Sequence, residues 1–210
     1  MSMLKVIVID YESGNLRSVS QALERAGAEP EVTGDPRALL EADAVVFPGQ
    51  GAGDAAMRVL HRRGLIEALR EFVASGRPFL GVCLGLQLLM DSTEEGGGAQ
   101  CLGIVPGMTR KLPQGGLKLP HMGWNSVSFR KAHPVLDGIP DNAHFYFVHS
   151  YYAVPEDEGL TAGVTEYGMP FCSVLVRGNL VATQFHPEKS SALGLKIYEN
   201  FVRFAQCPHP

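Results

Sequence analysis

The chain has 210 residues, of which 45% are hydrophobic and 19% charged, and its formal net charge is −4 at pH 7. That length suits one α/β domain, and the mild acidity gives neither a basic footprint for nucleic acid nor a polybasic membrane patch. Cys83, Cys101, Cys172 and Cys207 stand far apart, without a C-x-x-C pair or zinc spacing, so a reducing compartment fits them. The apolar run after Lys5 is too short for a signal peptide or membrane span, and a cytoplasmic location is expected.

Residues 4–10 (LKVIVID) are a β-branched apolar run of the kind found in strands covered on both faces. Residues 11–15 (YESGN) turn the chain. The following helix carries Leu16, Val19, Ala22, Leu23 and Ala26 on one side, and Gly27 ends it. A second strand is expected over 29–33. Asp35-Pro36 opens a short helix to 41, with proline at the first-turn position that tolerates it. Residues 44–47 (AVVF) predict a third buried strand, broken by Pro48-Gly49-Gln50-Gly51. A helical region over 54–75 splits near Gly64, and its second half places Leu65, Ile66, Leu69, Phe72 and Val73 on one face. Residues 79–82 predict the central strand and 84–90 the helix behind it. This alternation predicts a doubly wound, mostly parallel sheet flanked by helices. After Asp91 the texture changes: 94–98 (EEGGG) reads as an exposed loop, 125–130 as a short strand, and 144–152 (HFYFVHSYY) as one aromatic strand region. Strands over 160–167, 171–177 and 180–185 add antiparallel structure to the C-terminal half, the last two joined through Gly178-Asn179. A closing helix steps through Leu193, Ile197, Phe201 and Phe204. With no repeat, linker or compositional break, residues 1–210 are expected to form a single domain.

Between the central strand and its helix stands Cys83, with Gly81 and Gly85 two residues to either side. This G-x-C-x-G spacing matches the nucleophile elbow G-x-S-x-G, with sulfur in place of the hydroxyl. A sharp strand-to-helix turn strains the nucleophile's backbone and needs glycine where the chain passes close. It also puts the sulfur at a helix N-terminus, which favours thiolate, and turns the Leu84 N–H toward a developing oxyanion. The alternative is a buried cysteine that only packs. A thiol nucleophile needs a base. His186 lies just past the strand over 180–185, where ligands of a parallel sheet bind, with Glu188 two residues on and Pro187 fixing the bend. A carboxylate against the far ring nitrogen would set its tautomer. His61, His133 and His209 sit in helix-surface, pre-proline and tail contexts and are expected to be solvated. His144 and His149 flank an aromatic run and read as structural. The loop 48–51 has the address for a second oxyanion donor and matches no phosphate-loop pattern.

PGQG at 48–51, GVCLGLQ at 81–87 and QFHPEKS at 184–190 have the order and separation seen in the class I (triad) glutamine amidotransferases, which the chain resembles over nearly all its length. ESGN at 12–15, PHMGWN at 120–125 and YFVHSYY at 146–152 resemble, more narrowly, the glutaminase subunits of imidazole glycerol phosphate synthases of histidine biosynthesis. The resemblance implies that Cys83 attacks the side-chain amide of L-glutamine, that His186 moves protons and that Glu188 orients His186. It implies oxyanion donors at Leu84 and the Gly49–Gln50 peptide, and a hold on the substrate's amino-acid end by Gly51, Gln87, Ser150 and Tyr151. It further implies, as heterodimer partner, a (β/α)8-barrel cyclase subunit, which faces Asn15, Trp124, Tyr146 and Lys189 and receives the ammonia, with no metal or organic cofactor. The chain departs from the family's pattern at Gln50, where a β-branched residue is usual, and at Ala52-Gly53, where an aromatic is usual. Two other assignments are a glutaminase subunit of an anthranilate or aminodeoxychorismate synthase, and a non-catalytic or redox-sensing module on the same fold. A related hydrolase or chaperone-like family places histidine directly after the cysteine, where this chain has Leu84.

Overall fold

The computed structural model describes residues 4–113 and 115–207. Its layering is set by alternation inside the first strand. In β1 (Lys5–Ile9) Val6 and Val8 enter one apolar cluster, and Ile7 and Ile9 enter another. β3 (Ala44–Gly49) repeats the split with Ala44 and Val46 against Val45 and Phe47. β4 (Phe79–Cys83) follows with Leu80 and Val82 opposite Phe79. Strands apolar on both faces need helices on both. α1 (Leu16–Arg25) and the closing helix α6 (Ser191–Gln206) bring Val19, Leu23, Ile197 and Phe201 to one face. α2 (Pro36–Leu40), α3 (Gly53–Arg62) and α4 (Leu65–Ala74) bring Leu39, Leu60, Leu69 and Phe72 to the other. Each such side chain, when fully buried, contributes roughly 1.5–3 kcal/mol. Local signals place the ends: the Asp35 carboxylate caps α2 by accepting from Arg37 N at 2.9 Å, and Gly64, at φ +68°, divides α3 from α4.

The large sheet has nine strands in the order β2-β1-β3-β4-β13-β12-β11-β8-β9. Here β2 is Glu29–Thr33, β13 Leu180–Thr183, β12 Pro170–Arg177, β11 Thr161–Glu166, β8 His121–Phe129 and β9 Ala143–His149. Pairing is parallel from β2 to β13 and antiparallel from β13 to β9. The sheet is therefore mixed, with the antiparallel strands in the C-terminal half as expected. Strand order reverses between β1 and β3, which opens a crevice at their carboxyl ends. A small second sheet, in the order β10-β7-β5-β6, holds β10 (Tyr151–Pro155), β7 (Gly107–Lys111), β5 (Ser92–Thr93) and β6 (Ala99–Gln100). No helix among the described residues is long and apolar enough to cross a membrane.

Five expected boundaries move. β3 runs through Pro48 to Gly49, because both residues pair with β4 at Val82 and Cys83. β8 covers nine residues rather than a short stretch from 125, held by β9 along His121 to Val127. The last strand before His186 ends at Thr183, two residues early. The helix after Cys83, α5 (Leu84–Gln87), is a single turn, and Leu89 and Met90 then make tight three-residue turns. The aromatic region over 144–152 is two strands in two sheets: the chain bends at Ser150, leaving β9 on the large sheet and starting β10 against β7. That bend forms a wall of the site.

Candidate active site

Cys83 ends β4 at φ +54° and ψ −103°, a conformation that costs a non-glycine residue of the order of 1–3 kcal/mol. The flanking glycines make the strained turn possible. A Cβ on Gly85 would lie 2.0 Å from the Phe47 carbonyl oxygen, and one on Gly81 would lie 3.0 Å from the Ala182 Cβ. The side chain is 5% exposed, and the Gln184 amide donates to its sulfur at 3.6 Å. Because α5 is one turn long, the helix dipole gives the sulfur little; the cation of the site is His186.

His186 leaves the end of β13 with its N–H bonded to the Tyr146 carbonyl at 2.9 Å, while the Ser190 hydroxyl donates to the His186 carbonyl at 2.6 Å. Pro187 and Glu188 curl into a 3₁₀ turn that returns the Glu188 carboxylate to Nδ1 of His186 at 2.8 Å. Both side chains are almost fully buried. Nε2 is buried without a hydrogen-bond partner and is the nitrogen left for sulfur and substrate. Burial pulls the His186 pKa down, but the nearby Cys83 sulfur, and then Glu188 against Nδ1, outweigh burial and raise it to about 10. A buried histidine held toward its protonated form beside a cysteine sulfur is a pairing that can serve nucleophilic chemistry.

A cavity of about 300 Å³ opens on Cys83 and Leu84. Gln50, Gly51 and Gln87 line one part of it, and Ser150 and Tyr151 line another. Gln87 Nε2 donates to the Tyr151 carbonyl at 2.7 Å and to Gln184 Oε1 at 3.2 Å, so its nitrogen is committed to the scaffold. Gly49 lies between Tyr11 and Leu84: an added Cβ would sit 2.0 Å from the Tyr11 hydroxyl and 2.8 Å from the Leu84 Cβ. The Gln50 N–H donates to Ser13 Oγ at 3.3 Å, and the Ser13 hydroxyl donates back to the Gln50 carbonyl. Ser13 belongs to the loop after β1, across the crevice between β1 and β3. The expected second oxyanion donor is thus bonded to Ser13.

The four residues expected to face a partner fall in three places. Lys189 lines the cavity, Asn15 takes the N-cap position of α1 beside the Ser13 loop, and Trp124 pairs with Tyr146 across β8–β9, ring centroids 6.3 Å apart. Sequence patterns missed three residues. Glu95, placed in an exposed loop, lines the cavity and accepts from the Gly53 N–H at 2.5 Å. Gln184 contacts the nucleophile, and only its place before His186 hints at that. His121 is buried against His149, Nδ1 to Nε2, at 3.0 Å. His61 and His144 are exposed. His133 is not solvated as expected: it is half-buried, caps a 3₁₀ turn through Val135 N, and burial lowers its pKa. His209 lies outside the described residues. Among the described residues no group of three or more His, Cys, Asp or Glu side chains could hold a metal ion.

The buried pair makes stability depend on acid. Burial lowers the pKa of His121 to about 4 and that of His149 to about 3. Unfolded histidine takes a proton near pH 6.5, so below that the unfolded chain binds more protons and stability falls with pH, by about 1.4 kcal/mol per unit per ring. His133 adds to this slope in the same direction. His186, raised instead, contributes in full below about 6.5 and loses its contribution only as pH climbs through about 10. Urea midpoints at pH 7, 6 and 5 are expected to fall steadily; midpoints independent of pH would contradict buried, neutral rings.

The profile of the family described as "Glutamine amidotransferase class-I" matches residues 7–204. An imidazole glycerol phosphate synthase subunit HisH of Dehalococcoides mccartyi (strain CBDB1) is 48% identical over 200 residues, which cover 95% of this chain and 97% of that protein. The protein so named in Geobacter sulfurreducens is 46% identical over 205 residues, with 95% and 98% covered. Among solved structures, a glutamine amidotransferase from Thermotoga maritima superposes with TM-score 0.65 at 17% identity, covering 90% of this chain and 77% of that one. PurLQS from the same organism gives 0.76 at 16% identity, with 97% and 99% covered, so the fold is common to all three. With a family match over nearly its whole length and a cysteine elbow facing a buried His–Glu pair, the chain belongs to the class-I glutamine amidotransferases.

Proposed function

We propose that this protein is the glutaminase subunit of an imidazole glycerol phosphate synthase, working in the cytoplasm as the heterodimer partner of a (β/α)8-barrel cyclase. The observation that carries the chemistry is Cys83 opening into the cavity with His186 raised to about 10 beside it. The Cys83 thiolate adds to the glutamine carboxamide carbon, and the oxyanion takes the Leu84 N–H, which no intrahelical carbonyl can accept. The His186 imidazolium gives its Nε2 proton to the departing ammonia, leaving a Cys83 glutamyl thioester. Neutral His186 then removes a proton from water, hydroxide attacks the thioester, and glutamate leaves as the thiolate is restored. Glu188 holds the ring throughout. Gly51, Gln87, Ser150 and Tyr151 shape the subsite for the amino-acid end, and the Glu95 carboxylate complements the substrate ammonium.

The bond from Gln50 N–H to Ser13 describes a resting state. Without that donor in the hole, the rate is lower by about 10²–10³. A cyclase with ligand bound that favours the turned-in peptide would switch the glutaminase on. Glutamate release is expected to be slow from the isolated subunit and to rise at least ~10²-fold with cyclase and its ribonucleotide ligand, with little change in KM. Full activity without the cyclase would refute the switch.

Asn15, Trp124, Tyr146 and Lys189 are assigned to the cyclase interface. Trp124 is 53% exposed and its neighbour Met122 63%, an apolar pair that a partner would cover. Trp124→Ala is expected to weaken cyclase binding at least ~10-fold and to leave the melting temperature of the isolated subunit nearly unchanged. A large drop in that temperature would place the ring in the core.

A further inference from the structure

Behind the cavity wall lies a buried relay that the chemistry above does not use. His149 Nδ1 is 2.8 Å from the Tyr151 carbonyl oxygen, which can only accept, so Nδ1 carries the proton. His149 Nε2 must then accept, and its partner at 3.0 Å is Nδ1 of His121. His121 is protonated there, which leaves its Nε2 to accept from the Asn125 amide at 3.2 Å. The same amide nitrogen donates to the Glu166 carbonyl at 2.9 Å, fixing which end of Asn125 is nitrogen. Every proton in the chain Asn125, His121, His149, Tyr151 therefore has one direction. Phe147 and Tyr167 stack on the His121 ring, with centroids at 4.9 and 4.0 Å, and fix its plane.

The relay ends where the substrate subsite begins. The Tyr151 carbonyl also accepts from Gln87, and His149, Ser150 and Tyr151 all line the cavity at the bend between β9 and β10. We propose that His121 and His149 are positioning residues that lock the Ser150–Tyr151 backbone in the shape that holds the amino-acid end of glutamine, a role that rests on the glutaminase assignment. With the opposite tautomer, the Nδ1 lone pair of His149 would face the Tyr151 carbonyl and push the bend away. His121 selects the tautomer by donating its Nδ1–H to the lone pair on Nε2 of His149. Burial, and for His149 the charge of His186 as well, keeps the rings neutral.

The test measures glutamine binding by calorimetry to the full chain carrying Cys83→Ala, complexed with the cyclase. Adding His121→Phe keeps the stacked shape and removes both hydrogen bonds; it is expected to weaken binding about tenfold, near the worth of one hydrogen bond. His121→Gln, whose amide can donate to His149 and accept from Asn125, is expected to bind within about threefold of the parent. In the active Cys83 background His121→Phe should raise KM with little loss of kcat, a split that general loosening of the fold would not give. Equal affinity for His121→Phe and its parent would overturn the positioning role, as would equal losses for the two variants. Should His121→Phe fail to fold, Asn125→Ala takes its place: weaker glutamine binding is expected, and parent affinity would overturn the role. A Cys83→Ala parent that binds no glutamine would overturn the glutaminase assignment itself, and with it the positioning role.

Discussion

Replacing Cys83 with alanine is expected to lower partner-stimulated glutamine hydrolysis by at least about 10⁴-fold, because the proposed route carries the glutamyl group on this sulfur. The fold should survive. The sulfur accepts one long hydrogen bond, from Gln184, and alanine fits the same space. Alanine also inherits the strained backbone at φ +54°, so it relieves nothing. Cys83→Gly is a useful companion: it should be as inactive, yet more stable than Cys83→Ala by about 1 kcal/mol, since glycine tolerates that conformation. Glutamate release and urea midpoints read both effects. A Cys83→Ala variant that kept a tenth of the parent rate would exclude the covalent route.

His186→Ala is expected to cost nearly as much, since one ring serves both proton transfers. Glu188→Gln should cost less, by about one to two orders of magnitude, because the carboxylate orients and stabilises the ring without moving the proton. It will not be negligible. Glu188 is buried against Nδ1, and a glutamine there removes a charge that helps to hold the imidazolium. Stimulated kcat/KM values for the two variants give the comparison directly. Equal and minor losses would move the base elsewhere.

Much of this site can be read in the amino-acid order because its parts are local. Gly81, Cys83 and Gly85 must stand two apart for the elbow to pass Phe47 and Ala182, and Pro187 must separate His186 from Glu188 for the carboxylate to return to the ring. The parallel half of the sheet is equally legible, since alternation in residues 5–9 and 44–47 demands helices on both faces. Residues brought in by tertiary contact are not legible in this way. Ser13 looks like a turn serine until β1 and β3 bring it to Gln50, and Glu95 looks solvated until its turn folds onto Gly53. The run over 144–152 reads as one strand because aromatic character does not record a change of sheet. The bend at Ser150 appears only when β10 pairs with β7. The helix expected over 84–90 is shorter for a related reason: Leu88, Leu89 and Met90 are apolar enough for a helix but are buried in tight turns that lead to the small sheet.

The most direct test of the central claim is to catch the covalent intermediate. The protein is mixed with cyclase, its ribonucleotide ligand and excess glutamine, quenched in acid within the first turnovers, digested and examined by mass spectrometry. A glutamyl adduct on Cys83 is predicted. It should be absent from Cys101, Cys172 and Cys207, and it should form far more slowly in His186→Ala, which lacks the ring that protonates the departing ammonia. Glutamate produced at the full stimulated rate with Cys83 unmodified at every quench time would contradict the account.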